Sequence, residues 1–335
     1  MFSFSPVLKT IKQILTPHKG ILAADETPAT LGKRFAAVGI ENTVENRRAY
    51  REILFTTPNI ENYISGVILQ DETIRQTTSG GLFFRDILQK KGIVLGIKVD
   101  QGLAPFNNST NEKITQGIEG LDRRLEEYYS MGARFAKWRA VFAIGTSTPS
   151  KECLAANTHL LAVFAKLCLK RSMVPIVEPE VLQDGDHDIN VTFETTKKVL
   201  TSVFLALADE GVSAKKIILK PNMVVPGENG PVVLPEVVAE KTVECFKTII
   251  PESLPGIVFL SGGQSEEAAC INLQAIVQYG KQCPWQWSFS FGRALQNSAL
   301  QTWAGKKEQV DGAQALFLRR AMMTSDAKEG EYQTF

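Results

Sequence analysis

Eight short runs rich in β-branched and aromatic residues recur along the chain, each divided from the next by a stretch with helical periodicity. They are GILAAD (20–25), ISGVIL (64–69), VLGIKVD (94–100), FAKWRA (135–140), VPIVEPE (174–180), IILKPNM (217–223), GIVFLSGG (256–263) and WSFSFGRA (287–294). Between them, Val199, Val203 and Leu207 recur every four residues and Gly211 supplies a stop. Likewise Ile271, Ala275 and Ile276 share a face after Ser265, with Glu266 and Glu267 at the positive helix end and Gly280 at the close. Strand and helix alternating eight times within 335 residues point to an α/β fold of the (β/α)8, or TIM-barrel, type in a single domain; a doubly wound open sheet is the alternative. The first twenty residues read as an amphipathic leading helix, and the last ten (326–335), DAKEGEYQTF, as a polar, mobile tail.

Charge narrows the class of partner. Lys plus Arg (37) nearly equals Asp plus Glu (36), so there is no positive field to hold nucleic acid or an anionic membrane, and a bound anion needs a local cluster. The five cysteines form no CxxC pair, which fits a reducing, cytoplasmic compartment.

In such a barrel, function sits at the C-terminal strand ends, where charged residues gather beyond what packing requires. Asp25 and Glu26 end the first run, Lys98 and Asp100 the third, Lys137 and Arg139 the fourth, Glu178 and Glu180 the fifth, Lys220 and Asn222 the sixth. A spacing of two projects each later pair from one side of its strand. Lys220 alone could snorkel at a strand end. Five charged strand ends together favour another role: burial and the cations Lys98, Lys137 and Arg139 push toward a neutral amine. At a free pKa of about 10.4 only ~0.04% of an amine is neutral at pH 7, and a drop of roughly three units makes it nucleophilic toward a carbonyl. Glu178 and Glu180 can pair with these cations and also pass protons.

Two strand-to-helix turns suit an anion. SGGQSEEA (261–268) and SFGRA (290–294) bring the Ser261 hydroxyl, the amides of Gly262, Gly263 and Gly292, and Arg293 after strands seven and eight, where barrels commonly bind phosphate. Thr27 before Pro28 has the form of a helix cap; with Thr30, Lys33 and Arg34 behind it, a second phosphate site is the other reading. DGDHD (184–188) opens like a calcium loop but has Ile189 at the sixth position and Thr195 at the twelfth. The three histidines lack HxxxH spacing, which argues against catalytic zinc.

The runs GILAADE, ENRRAYREIL, GIKVDQG, FAKWR, VPIVEPE, LQDGDHD, LKPNMV, FLSGGQSEEAACINLQAI and SFGRALQNSAL, in this order, resemble class I fructose-bisphosphate aldolases. The resemblance implies a homotetrameric barrel that needs no metal or other cofactor and reversibly cleaves fructose 1,6-bisphosphate into dihydroxyacetone phosphate and glyceraldehyde 3-phosphate. It implies Lys220 as the imine-forming residue, Glu178 as principal acid/base, Glu180 positioning the amine, Asp25 at the C4 hydroxyl and Lys137 in carbinolamine formation. It assigns one phosphate to Ser261, Gly262, Ser290, Gly292 and Arg293, and the other to Thr27, Thr30 and Lys98 with Arg34 nearby. Family members often have serine at positions 27 and 30 and lysine at 101, where Gln101 stands here, and many extend to a tyrosine that helps proton transfer; Tyr332 or Phe335 could substitute. Transaldolase-type imine chemistry and a noncatalytic barrel scaffold are the alternatives, and the choice between fructose 1,6-bisphosphate and fructose 1-phosphate stays open.

Overall fold

A computed structural model describes residues 5–107, 109 and 111–333. Strands β1 (Gly20–Ala23), β2 (Ile64–Leu69), β3 (Val94–Lys98), β4 (Phe135–Phe142), β5 (Val174–Val181), β6 (Ile218–Leu219), β7 (Gly256–Phe259) and β8 (Gln286–Phe291) run parallel. Each pairs with the next, and β8 returns to β1, so the sheet closes into the expected barrel. Around it lie α1 (Pro6–Ile14), α2 (Pro28–Ala36), α3 (Val44–Thr56), α4 (Asp71–Arg75), α5 (Phe84–Lys90), α6 (Leu121–Ser130), α7 (Lys151–Lys170), α8 (Ile189–Asp209), α9 (Pro235–Lys247), α10 (Glu266–Tyr279), α11 (Arg293–Trp303) and α12 (Val310–Glu329). Most strands stop before their sequence runs do. β6 keeps two residues, because Pro221 has no N–H to donate to a ladder. Asp25, Asp100, Lys220, Ser261 and Gly292 therefore stand just past the strands, at the mouth.

The barrel interior changes character along its axis. On α1, Val7, Ile11, Ile14 and Leu15 share one face and pack against Ile21, Phe135, Val174 and Ile218, all at strand starts. The leading helix thus plugs the N-terminal end; burying these four aliphatic side chains supplies about 8 kcal/mol at ~2 kcal/mol each, before entropy. Gly96 makes room there, since a Cβ would fall 2.1 Å from the Phe135 ring. Two residues on from Phe135 comes Lys137, two on from Ile176 comes Glu178, and two on from Ile218 comes Lys220. The period-two alternation that keeps aliphatic groups inside at one end delivers charges inside at the other.

A larger apolar layer joins the outer strand faces to the helices. One helix, α7, is long and apolar enough to cross a membrane by composition, but it buries Leu161, Phe164 and Cys168 against the barrel. Asp188 of the false calcium loop caps α8, its side chain accepting from the Asn190 and Val191 amides. Sequence periodicity missed the hairpin Leu103–Pro105 with Lys113–Thr115, whose strands have three residues each.

The expected mobile tail is corrected in extent. Residues 326–329 complete α12, where Ala327 and Lys328 are buried. Lys328 Nζ donates to the Thr16 and Lys19 carbonyls at 2.8 Å each, and Tyr332 is buried with its amide donating to Gln274 Oε1 at 2.6 Å. A composition that reads polar hides these anchoring contacts. Phe335 lies outside the described residues.

Candidate active site

A cavity of about 490 Å³ opens at the C-terminal end of the barrel. At its floor four charged side chains form one chain of contacts. Lys220 Nζ lies 2.9 Å from Glu178 Oε1, Glu178 Oε2 lies 2.9 Å from Lys137 Nζ, and Lys137 Nζ lies 2.7 Å from Asp25 Oδ2. All four residues are buried. Lys137 and Glu178 stand within β4 and β5, Lys220 and Asp25 just past β6 and β1, and two lysines alternate with two carboxylates.

Burial alone would raise the pKa of Asp25; Lys137 foremost, then Lys220 and Lys98, outweighs it and lowers the value to about 2. Burial likewise opposes ionisation of Glu178, yet Lys137, Lys220 and Arg139 hold it below the ordinary carboxylate range. Lys137 responds in the opposite sense. Burial would lower its pKa, but Asp25 and Glu178 raise it well above that of a free lysine. The floor therefore contains ionised carboxylates and a protonated Lys137 at neutral pH. Glu178 Oε2 has an ammonium beside it but no aligned hydrogen bond, which leaves it able to accept a proton from a bound molecule.

The walls carry unpaired donors. Ser261 and Ser290 are buried at the mouth, and Ser290 Oγ has no hydrogen-bond partner among the described residues. Arg293 starts α11 directly after Gly292, is exposed, and makes no ion pair among the described residues. Thr27 caps α2, accepting from the Thr30 amide at 3.2 Å while the two hydroxyls lie 3.0 Å apart; both threonines also line the cavity.

Comparison with known proteins bears directly on this site. Residues 7–335 match the family model described as "Glycolytic: Fructose-bisphosphate aldolase class-I". The chain belongs to the class I fructose-bisphosphate aldolase family. It is 50% identical to the cytosolic fructose-bisphosphate aldolase 5 of Arabidopsis thaliana over 97% of this chain and 91% of that one. It is 49% identical to the cytoplasmic isozyme 1 of Pisum sativum over the same shares. Its fold superposes with a TM-score of 0.96 on the Plasmodium falciparum aldolase solved in complex with TRAP and a small-molecule inhibitor, at 44% identity over 98% of this chain and 96% of that one. Among the described residues, no group of three or more His, Cys, Asp or Glu could hold a metal ion, and class I aldolases work without one.

Within this aldolase barrel the catalytic candidates and the phosphate-site candidates converge, all of them lining the mouth except Gly263, whereas the strand-end residues Asp100 and Asn222 do not line it. Gly263 faces an adjoining cavity of about 280 Å³; its φ of +75° and a Cβ that would meet Gln183 Oε1 at 1.8 Å both require glycine.

The pairings differ from expectation in three places. The carboxylate on Lys220 is Glu178, whereas Glu180 is committed to Arg139, because Arg139 stands beside β5 in register with Glu178 and reaches the next inward carboxylate. Lys98 turns to its own strand's end, donating to the Asp100 carbonyl at 2.8 Å. Arg34 is paired with Glu26. Lys33, read with Thr30 and Arg34 as part of a second phosphate site, lines the mouth too, as do Glu26 and Leu260, to which no chemistry was assigned; the position of Glu26 beside Asp25 was the available signal. Tyr332, held on Gln274, is not among the mouth residues.

Proposed function

We propose that Lys220 forms the imine with the substrate ketone and that Glu178, Lys137 and Asp25 move the protons. The supporting observation is the buried contact chain Lys220–Glu178–Lys137–Asp25. Glu178 takes a proton from the Lys220 ammonium, the freed amine attacks C2 of fructose 1,6-bisphosphate, and Lys137 protonates the oxygen as the C–N bond forms. The carbinolamine nitrogen gives its extra proton back to Lys137, and Glu178 returns its own proton to the carbinolamine hydroxyl, which leaves as water. The resulting iminium at C2 accepts the electron pair when the C3–C4 bond breaks and Asp25 removes the C4 hydroxyl proton. Glyceraldehyde 3-phosphate departs; protonation of the enamine at C3 and hydrolysis release dihydroxyacetone phosphate.

Ser261, Gly262, Ser290, Gly292 and Arg293 hold the C1 phosphate with amides, hydroxyls and one guanidinium. Thr27, Thr30, Lys98 and Arg34 bound the side from which the other phosphate enters, with Gly263 shaping the turn and Glu180 fixing Arg139. We infer that the enzyme works in the cytosol, as its similar plant relatives are named, and that it assembles as a homotetramer, which sedimentation would test. Turnover of fructose 1,6-bisphosphate by the native chain and by Lys220→Ala tests the assignment. Native turnover that persists in EDTA and disappears in Lys220→Ala is the expected result. Equal turnover by both would overturn it.

A further inference from the structure

Behind the mouth lies a buried cluster that the proton chain does not use. Glu26 Oε2 is 2.8 Å from Arg51 Nη2, and Glu26 Oε1 pairs with Arg34 Nη1. Arg51, on α3, is among the largest fully buried side chains, 1% exposed. Both guanidinium groups lie against the Tyr50 ring, 5.8 and 6.0 Å from its centroid. Gln296, one turn after Arg293 on α11, accepts from Arg34 Nη1 at 3.2 Å and from Tyr50 Oη at 3.1 Å, and donates to the carbonyl of Ala23 at 2.7 Å. The cluster thus ties the end of the strand that precedes Asp25 to the helix that begins with Arg293.

Its charge does not balance: two guanidinium groups share one carboxylate. Nε and Nη2 of Arg34, like Nη1 of Arg51, are buried with no acceptor among the described residues, and Arg34 lines the mouth. A lone Glu26–Arg34 pair would form the bidentate fork that a carboxylate and a guanidinium prefer, and the Arg34 charge would be cancelled. Arg51 prevents this by taking one oxygen of Glu26.

We propose that Arg51 is a positioning residue for substrate binding: by holding Glu26 off a full pairing with Arg34, it keeps an uncancelled positive charge under the mouth that draws an anionic, phosphate-type group of the substrate. This rests on the aldolase reading for the identity of the substrate.

Removal of Arg51 leaves a balanced buried pair rather than an orphaned charge, so the Arg51→Met chain is expected to fold. Titration with inorganic phosphate, which needs no turnover, is read beside KM and kcat for fructose 1,6-bisphosphate. Arg51→Met should weaken phosphate binding and raise KM about tenfold, with kcat within about twofold. Adding Glu26→Gln restores the excess charge, so the double variant should return to within about threefold of native. A merely structural role for Arg51 gives no such rescue. Unchanged phosphate affinity in Arg51→Met, or a double variant no better than the single, would overturn the proposal. Should Arg51→Met fail to fold, the double variant alone carries the test, and a tenfold loss in it is the contradicting result. Native protein that binds phosphate but cleaves no fructose 1,6-bisphosphate would instead indict the aldolase reading.

Discussion

Lys137→Met removes the one cation that touches both buried carboxylates, at 2.7 Å from Asp25 and 2.9 Å from Glu178. Glu178 keeps Lys220 at 2.9 Å, but Asp25 is left with no ion-pair partner among the described residues. Breaking a buried pair by deleting one member costs about 3–5 kcal/mol. With an unfolding entropy near 2.1 cal/mol/K per residue over 335 residues, that lowers Tm by about 4–7 °C.

The pH dependence carries its own sign. Asp25 is lowered to about 2 from 3.8, so in the native protein it adds roughly 2 kcal/mol above pH 4, lost as pH falls through 2. Without Lys137, burial dominates and the carboxyl takes up a proton more readily, so the Tm deficit of the variant is largest at pH 7 and shrinks toward pH 4. Loss of the positioned proton donor should lower kcat about 10²- to 10⁴-fold. Scanning calorimetry from pH 4 to 7 and a coupled assay for dihydroxyacetone phosphate read both effects. A kcat within threefold of native, or a Tm deficit that grows as pH falls, would refute the reasoning.

Arg293→Ala removes an exposed guanidinium that makes no ion pair among the described residues; losing a charge-assisted contact of about 1.5–3 kcal/mol should raise KM roughly 10- to 100-fold with Tm unchanged, and steady-state kinetics with an unchanged KM would contradict its placement. Lys328 is pulled down to about 8 from 10.5 by burial, which the neighbouring Glu329 only partly offsets. Its folded form loses the proton first, so this group makes stability rise by up to about 3 kcal/mol between pH 8 and 10.5. Thermal melts of native and Lys328→Met chains should diverge over that range; parallel curves would rule the effect out.

The eight strands and the convergence of Lys137, Glu178 and Lys220 were legible because one rule governs both: in a barrel strand, every second residue faces inward, so the spacing that hides Phe135, Ile176 and Ile218 also aims the charges. Local sequence also revealed the Thr27 cap. What stayed hidden depends on neighbours far apart in the chain. Glu180 could be assigned to Arg139 rather than Lys220 only through the β4–β5 register. Arg51 sits mid-helix among other charged residues and looks solvated until α3 packs on the mouth. The α1 plug has an amphipathic pattern common to surface helices, and nothing local says that its apolar face meets a barrel end. Polar composition likewise concealed how Lys328 and Tyr332 anchor the end of the described chain.

The catalytic role of Lys220 is tested most directly by covalent trapping. The native chain is mixed with dihydroxyacetone phosphate, reduced with borohydride, digested and mapped by mass spectrometry. A reduced adduct on Lys220, formed equally well with chelator present, is the expected result; an adduct confined to another lysine, or none in an enzyme that is turning over, would contradict it.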